Sequence, residues 1–123
     1  MDAVADLTPV VTDERFEELT AEALDGLPEW DRGRMENVDV LIEPDPPPQQ
    51  PGLLGLYQGV PLTRRGAGYG GVLPDRITLF RSGILRGARS EAEVRDRVRH
   101  VVVHEVAHFF GISDERLREL ERY

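Results

Sequence analysis

Apolar positions recur at helical spacing in two parts of the chain and gather into short strand-like runs between them. Thr12 or Asp13 can cap a first helix, after which Phe16, Leu19, Ala23, Leu24 and Leu27 fall near one face and Gly26-Leu27-Pro28 supplies a stop. The opposite face carries Glu14, Glu17, Glu18, Glu22 and Asp25 and reads as solvated surface. Val38-Asp39-Val40-Leu41-Ile42-Glu43 is short, β-branched and closed by Pro44, which predicts a strand. The five prolines of residues 44–52 cannot join a ladder and predict a stiff surface connection. Residues 53–60 resume apolar character as a second strand. Arg76-Ile77-Thr78-Leu79-Phe80-Arg81 alternates as a third, with Ile77, Leu79 and Phe80 reaching the core and a turn at Ser82-Gly83 ending it.

Beyond that turn the period returns to that of a helix. Ser90-Glu91-Ala92-Glu93 is a capping-box pattern and opens a helix expected over residues 91–110. Val94, Val98, Val101 and Val102 form one stripe, and Val103, Val106, Ala107 and Phe109 widen it, so the helix is expected to be buried on most sides toward its end. Ser113 can cap a last helix over residues 114–122, with Ile112 and Leu117 as a hydrophobic staple. The order α-β-β-β-α-α implies an α+β fold, with helices on one side of a small mixed or antiparallel sheet. At 123 residues the chain is expected to form a single domain, with residues 1–11 a loose lead-in and Trp30 plugging the core edge. The glycine-rich residues 64–71 read as a flexible loop, since they lack the Gly-Lys-Ser/Thr of a phosphate loop.

Composition narrows the chemistry. There is no cysteine, so disulfides and thiolate metal sites are excluded and any metal must rely on His, Asp or Glu. The net charge of −8 is unevenly spread: residues 1–50 hold 14 acidic residues and 3 arginines, whereas residues 51–123 hold 9 acidic residues and 12 arginines. An acidic layer packed beside a mildly basic remainder is the simplest reading, and nucleic-acid binding is disfavoured by the overall sign. Acidic, mixed first residues and the lack of any apolar run near the ~20 residues of a membrane span predict a soluble, cytoplasmic protein with no membrane contact.

The chemistry-bearing stretch is His104-Glu105-Val106-Ala107-His108-Phe109-Phe110-Gly111-Ile112-Ser113-Asp114. Histidines four apart share a helix face and can aim both imidazoles at one ion, with Glu105 beside them. Gly111 lets the helix end and the chain turn, and Asp114 follows as an oxygen donor that completes three protein ligands and leaves a fourth position for water. The alternative for Asp114 is a dipole-favoured carboxylate in the first turn of the last helix, with Glu115 as the substitute ligand. His100 lies two turns from His108, about 12 Å along the axis, and suits a surface or supporting role.

His104-Glu105-x-x-His108-x-x-Gly111-x-x-Asp114 resembles the extended zincin motif in which a metzincin's third histidine is replaced by aspartate. With Gly55-Leu56-Tyr57-Gln58-Gly59-Val60-Pro61-Leu62 and Leu73-Pro74-Asp75-Arg76-Ile77-Thr78-Leu79-Phe80, it makes residues 12–120 similar to the bacterial minimal zincin-like metallopeptidase family. The resemblance implies a stripped-down zincin, with a sheet over the metal helix and an edge strand open to an extended peptide. It also implies a peptide or protein substrate and Zn²⁺ held by His104, His108 and Asp114. Glu105 would take a proton from the attacking water and pass it to the leaving amine, with Tyr57 or Tyr69 as candidate oxyanion donors. Metzincins continue to a methionine-bearing turn, but here 9 residues follow Asp114 and Met1 and Met35 lie upstream. Substrate is therefore expected to be held by the sheet, by a partner protein or by a second copy. A zinc-containing binding module with little catalysis is the rival reading. A bacterial endoribonuclease family with similar histidine spacing fits less well, since it has a third histidine at the Asp114 position and no glutamate after the first.

Overall fold

The computed structural model describes residues 10–28, 35, 37–66 and 74–121, so Trp30, Tyr69 and most of the first eleven residues lie outside the described part. Thr12 caps α1 (Asp13–Asp25), its hydroxyl accepting a hydrogen bond from the Arg15 N–H at 3.0 Å. Phe16, Leu19 and Ala23 are buried along one face of this helix, as their spacing predicts, and Gly26 closes it. Three strands follow in the chain: β1 (Val38–Glu43), β2 (Gly55–Gln58) and β3 (Asp75–Phe80). They form a mixed sheet in the order β1-β3-β2, with β1 parallel and β2 antiparallel to β3.

The proline segment explains that order. It carries the chain past the central position, over the C-terminal end of β3. There the Pro44 carbonyl accepts from the Ser82 N–H, and the Leu54 carbonyl from the Phe80 N–H, each at 2.9 Å. Because β3 is flanked on both sides, Ile77, Thr78, Leu79 and Phe80 are all buried and the outward/inward alternation expected there does not appear. The second strand is shorter than its apolar run, four residues within 53–60, because the regular ladder with β3 spans only Gly55–Gln58.

Beyond Phe80 the expected turn at Ser82-Gly83 is instead a single helical turn, α2 (Arg81–Leu85). Its buried Ile84 anchors it to the core, and the Arg97 guanidinium donates to the carbonyls of Ile84 and Arg86 at 2.9 and 2.7 Å, satisfying acceptors that a short helix leaves open. Helix α3 (Glu91–Phe109) starts at Ser90, whose hydroxyl accepts from the Glu93 N–H. The Glu93 carboxylate reaches one residue further back than in the standard box, to the Arg89 N–H. Val94, Val98, Val101, Val102 and Val106 pack with α1 and the sheet in one core.

Burial of α3 departs from expectation at its far side. Val103 is 48% exposed, because it stands opposite the valine stripe where neither α1 nor the sheet reaches. His104 and His108 lie at the margin of the buried face, half-covered. The last helix, α4 (Asp114–Glu121), is capped by Ser113, whose hydroxyl accepts from the Arg116 N–H. No helix among the described residues is long and apolar enough to cross a membrane.

Sheet and helix meet most closely at Gly55. A Cβ there would lie 2.6 Å from Val101 Cγ1 and 3.1 Å from Glu105 Cγ, so only glycine lets β2 rest on α3. A Gly55→Val substitution should therefore cost about 1–3 kcal/mol in urea unfolding by forcing the strand off the helix. An unchanged unfolding midpoint and slope would show that the contact is not needed.

Candidate metal centre

One turn of α3 separates His104 and His108, whose ring centroids are 4.9 Å apart. Helix α3 then ends in a Schellman turn: Ile112 N–H returns to the Ala107 carbonyl and Gly111 N–H to the His108 carbonyl, each at 2.9 Å. Gly111 takes φ +88°, the left-handed conformation that makes this reversal, and a side chain there would also strike Thr63 Oγ1 at 2.4 Å. The reversal brings Asp114 back over the helix. Its Oδ1 lies 3.1 Å from His104 Nε2 and 2.9 Å from His108 Nε2.

This donor set fits a zinc ion. Tetrahedral ligands about 2.0–2.1 Å from Zn²⁺ stand roughly 3.4 Å apart, and the donor atoms of His104, His108 and Asp114 all lie within 4.8 Å of one another. His108 is also oriented for the task. Its Nδ1–H donates to the Ile112 carbonyl at 2.9 Å, which directs Nε2 toward Asp114. Burial works against the Asp114 carboxylate, but the imidazoles of His108 and His104 outweigh it and hold the group below the usual carboxylate range. Neither Glu115 nor His100 belongs to the converging set; both are exposed, and the His100 ring is 6.4 Å from that of His104.

Glu105 occupies the inner side of the same turn and is 6% exposed, under β2. Burial pushes its carboxyl above the ordinary range. His104 and His108 oppose that shift, Asp114 adds to it, and the Tyr57 backbone N–H, which hydrogen-bonds the carboxyl, works against it. A cleft of about 460 Å³ opens over these four side chains, walled by Leu53, Leu56, Pro61, Arg64 and Ile112. The arrangement thus offers two nitrogen donors, an anionic oxygen donor and a partly desolvated base at one end of a groove.

A second polar cluster left no signal in the sequence. Asp75, at the start of β3, is 2% exposed and accepts hydrogen bonds from the Tyr57 hydroxyl, the Val60 N–H at 3.1 Å and the Arg65 guanidinium at 2.8 Å. Arg65 also donates to the Val60 carbonyl at 3.0 Å, and its guanidinium carbon sits 4.9 Å from the centre of the Phe109 ring. The hydroxyl of Tyr57, one of the two candidate oxyanion donors, is directed to Asp75, and the Tyr57 backbone N–H is what faces Glu105. Tyr69 lies outside the described residues. Gly59, at φ +147°, would drive a side chain into the Asp75 carboxylate at 2.2 Å, so the chain can wrap this acid only through glycine.

A mixed sheet over a helix bearing His-Glu-x-x-His, with a third oxygen donor supplied after a glycine turn, defines the class of zincin-like metalloproteins. The sequence profile of the zincin-like metallopeptidases matches residues 35–123, and the chain belongs to that family. No curated protein matches it in sequence. Among solved structures it is similar to a conserved hypothetical protein from Thermus thermophilus, at 27% identity and a TM-score of 0.56, over 79% of this chain and 92% of that one.

The Asp75 cluster carries a pH signature. Burial penalises its charge, yet the hydrogen bonds from Tyr57, Val60 and Arg65 prevail and hold its carboxyl below the usual value. An unfolded aspartate takes up its proton near pH 4, before the folded one does. The stabilisation is thus complete above about pH 5 and is lost as pH falls toward the depressed folded value. Urea midpoints measured from pH 3 to pH 7 should fall more steeply on the acid side for the wild type than for Asp75→Asn. That variant should also be less stable by about 3 kcal/mol at pH 7, because it removes the carboxylate that balances the buried Arg65 charge. Parallel pH profiles would exclude this role.

Proposed function

We propose that this protein is a zinc-dependent peptidase in which His104, His108 and Asp114 hold the ion and Glu105 is the general base. The observation that carries the reading is the meeting of both Nε2 atoms with one Asp114 oxygen, beside a buried carboxylate at the floor of a cleft. When bound, the ion supplies Lewis acidity and brings the pKa of water toward neutrality.

The remaining chemistry belongs to side chains and backbone. The Tyr57 N–H and the close approach at Gly55 fix the orientation of Glu105 between strand and helix. Its carboxylate accepts the proton of the attacking water as the water oxygen bonds to the peptide carbonyl carbon. As the C–N bond breaks, Glu105 returns that proton to the departing amine nitrogen. The Nδ1–H of His108, held by Ile112, keeps the imidazole in the tautomer whose Nε2 can coordinate. The Schellman turn fixes Asp114 against both rings without needing a long loop. Among the described residues β2 pairs with no strand but β3, and Gly55, Leu56 and Tyr57 line the cleft along which an extended peptide would lie.

Two substitutions separate metal binding from catalysis. Glu105→Gln should retain one zinc per chain by metal analysis while lowering peptide hydrolysis by at least about 10²-fold, since the base is lost and the ligands are not. Undiminished cleavage would overturn the role of Glu105. Asp114→Ala should lower zinc affinity by about 10-fold or more, measured by competition with a chromogenic chelator. Unchanged affinity would remove Asp114 from the ligand set. Zinc binding by a wild type that cleaves no peptide in a diverse library would favour a binding module over an enzyme.

A further inference from the structure

Among the described residues the cleft carries one arginine, and what surrounds it points to the kind of ligand it takes. Arg64 lines the groove that contains Glu105 and the three donors. It closes a 3-10 turn, Leu62–Arg64, in which its N–H bonds the Pro61 carbonyl at 2.8 Å. That turn is clamped from two directions. On one side Arg65 is tied to buried Asp75 and to the Val60 carbonyl. On the other, Thr63 sits against Gly111 so closely that a methyl group would not fit between them.

Charge is distributed to match. The two neighbouring arginines have opposite circumstances: the Arg65 side chain is buried and neutralised by Asp75, whereas Arg64 is exposed and forms no ion pair among the described residues. The cleft's own carboxylates are committed elsewhere, Asp114 to the two histidines and Glu105 to the Tyr57 N–H. Residues 51–123, which supply the whole cleft except Gln50, hold 12 arginines against 9 acidic residues in a chain that is otherwise strongly acidic. A cation on a fixed turn, in a groove where Leu53, Leu56, Pro61 and Ile112 alternate with the uncharged polar side chains of Gln50 and Ser113, has the features of a carboxylate-binding subsite.

We infer that Arg64 is a specificity-determining residue that receives a carboxylate of the bound peptide, supplied either by an acidic side chain or by a free C-terminus. The inference rests on the peptidase reading for the identity of the ligand as a peptide, but its test does not require turnover. Two chemistries are distinguished by four probes of one length: an alanine peptide blocked at both ends carrying a single Glu, its Gln counterpart, an all-alanine peptide with a free C-terminal carboxylate, and the same peptide as the amide.

Zinc-loaded Glu105→Gln protein, which keeps the proposed ligands, is titrated with each probe, and backbone NMR shifts of Leu56, Gly111 and Ile112 report occupation of the cleft. A carboxylate probe is expected to bind about 5- to 20-fold more tightly than its neutral counterpart, as a charge-assisted hydrogen bond predicts. The advantage should shrink with added salt. It should vanish in the Arg64→Gln/Glu105→Gln double variant and persist in part in Arg64→Lys/Glu105→Gln. Which pair of probes shows the advantage identifies the source of the carboxylate. Equal binding of charged and neutral probes, an advantage that survives Arg64→Gln, or no binding by any probe overturns the inference. The peptidase reading then still stands or falls on the separate Glu105→Gln cleavage assay.

Discussion

The contact between β2 and α3 at Gly55 is the constraint on which the architecture turns. Because no side chain intervenes, the strand lies directly on Val101 and on the stem of Glu105. Three consequences follow from that one approach. Glu105 is covered and its carboxyl destabilised as an anion, the Tyr57 N–H falls within reach of it, and the strand edge forms the wall of a groove rather than a second buried layer. A carboxylic acid buried beneath apolar cover is ordinarily a liability, but with one donor and two nearby imidazoles it becomes a group able to accept and release a proton.

Two glycines hold the rest of the groove in register with this contact. Gly111, in the left-handed region, reverses the chain after α3 and brings Asp114 over the histidines, and its missing side chain admits Thr63. Gly59 lets residues 59–65 wrap Asp75, whose carboxylate binds Tyr57, Val60 and Arg65 at once. The turn bearing Arg64 is thereby fastened to the end of the histidine-bearing helix and to the central strand. A buried aspartate with three donors is a costly element unless all are satisfied, and here the cost is set against the placement of a cleft wall.

The zincin-like family relationship and this geometry give the same account of where chemistry is expected. Membership defines a lineage of metallopeptidases. What the chain's own residues add is a small, open groove whose His104, His108 and Asp114 end is built within eleven consecutive residues and whose other wall depends on a polar cluster distant in sequence.

Local rules made much of this legible without coordinates. Helix α1, the cap at Ser90, the stripe from Val94 to Val106, the strand at Val38–Glu43 and the convergence of His104, His108 and Asp114 all follow from spacing, because each depends on residues a few positions apart. Long-range placement was not legible. The sequence left the sheet mixed or antiparallel, expected Val103 to be buried, took Ser82-Gly83 for a plain turn and offered Tyr57 or Tyr69 as an oxyanion donor. Tertiary structure decided these points, because strand order, the reach of α1 across α3 and the capture of the Tyr57 hydroxyl by Asp75 arise between segments that sequence proximity does not connect. Spacing could bring His104, His108 and Asp114 together; only packing could set Glu105 under a strand and give the groove above it its walls.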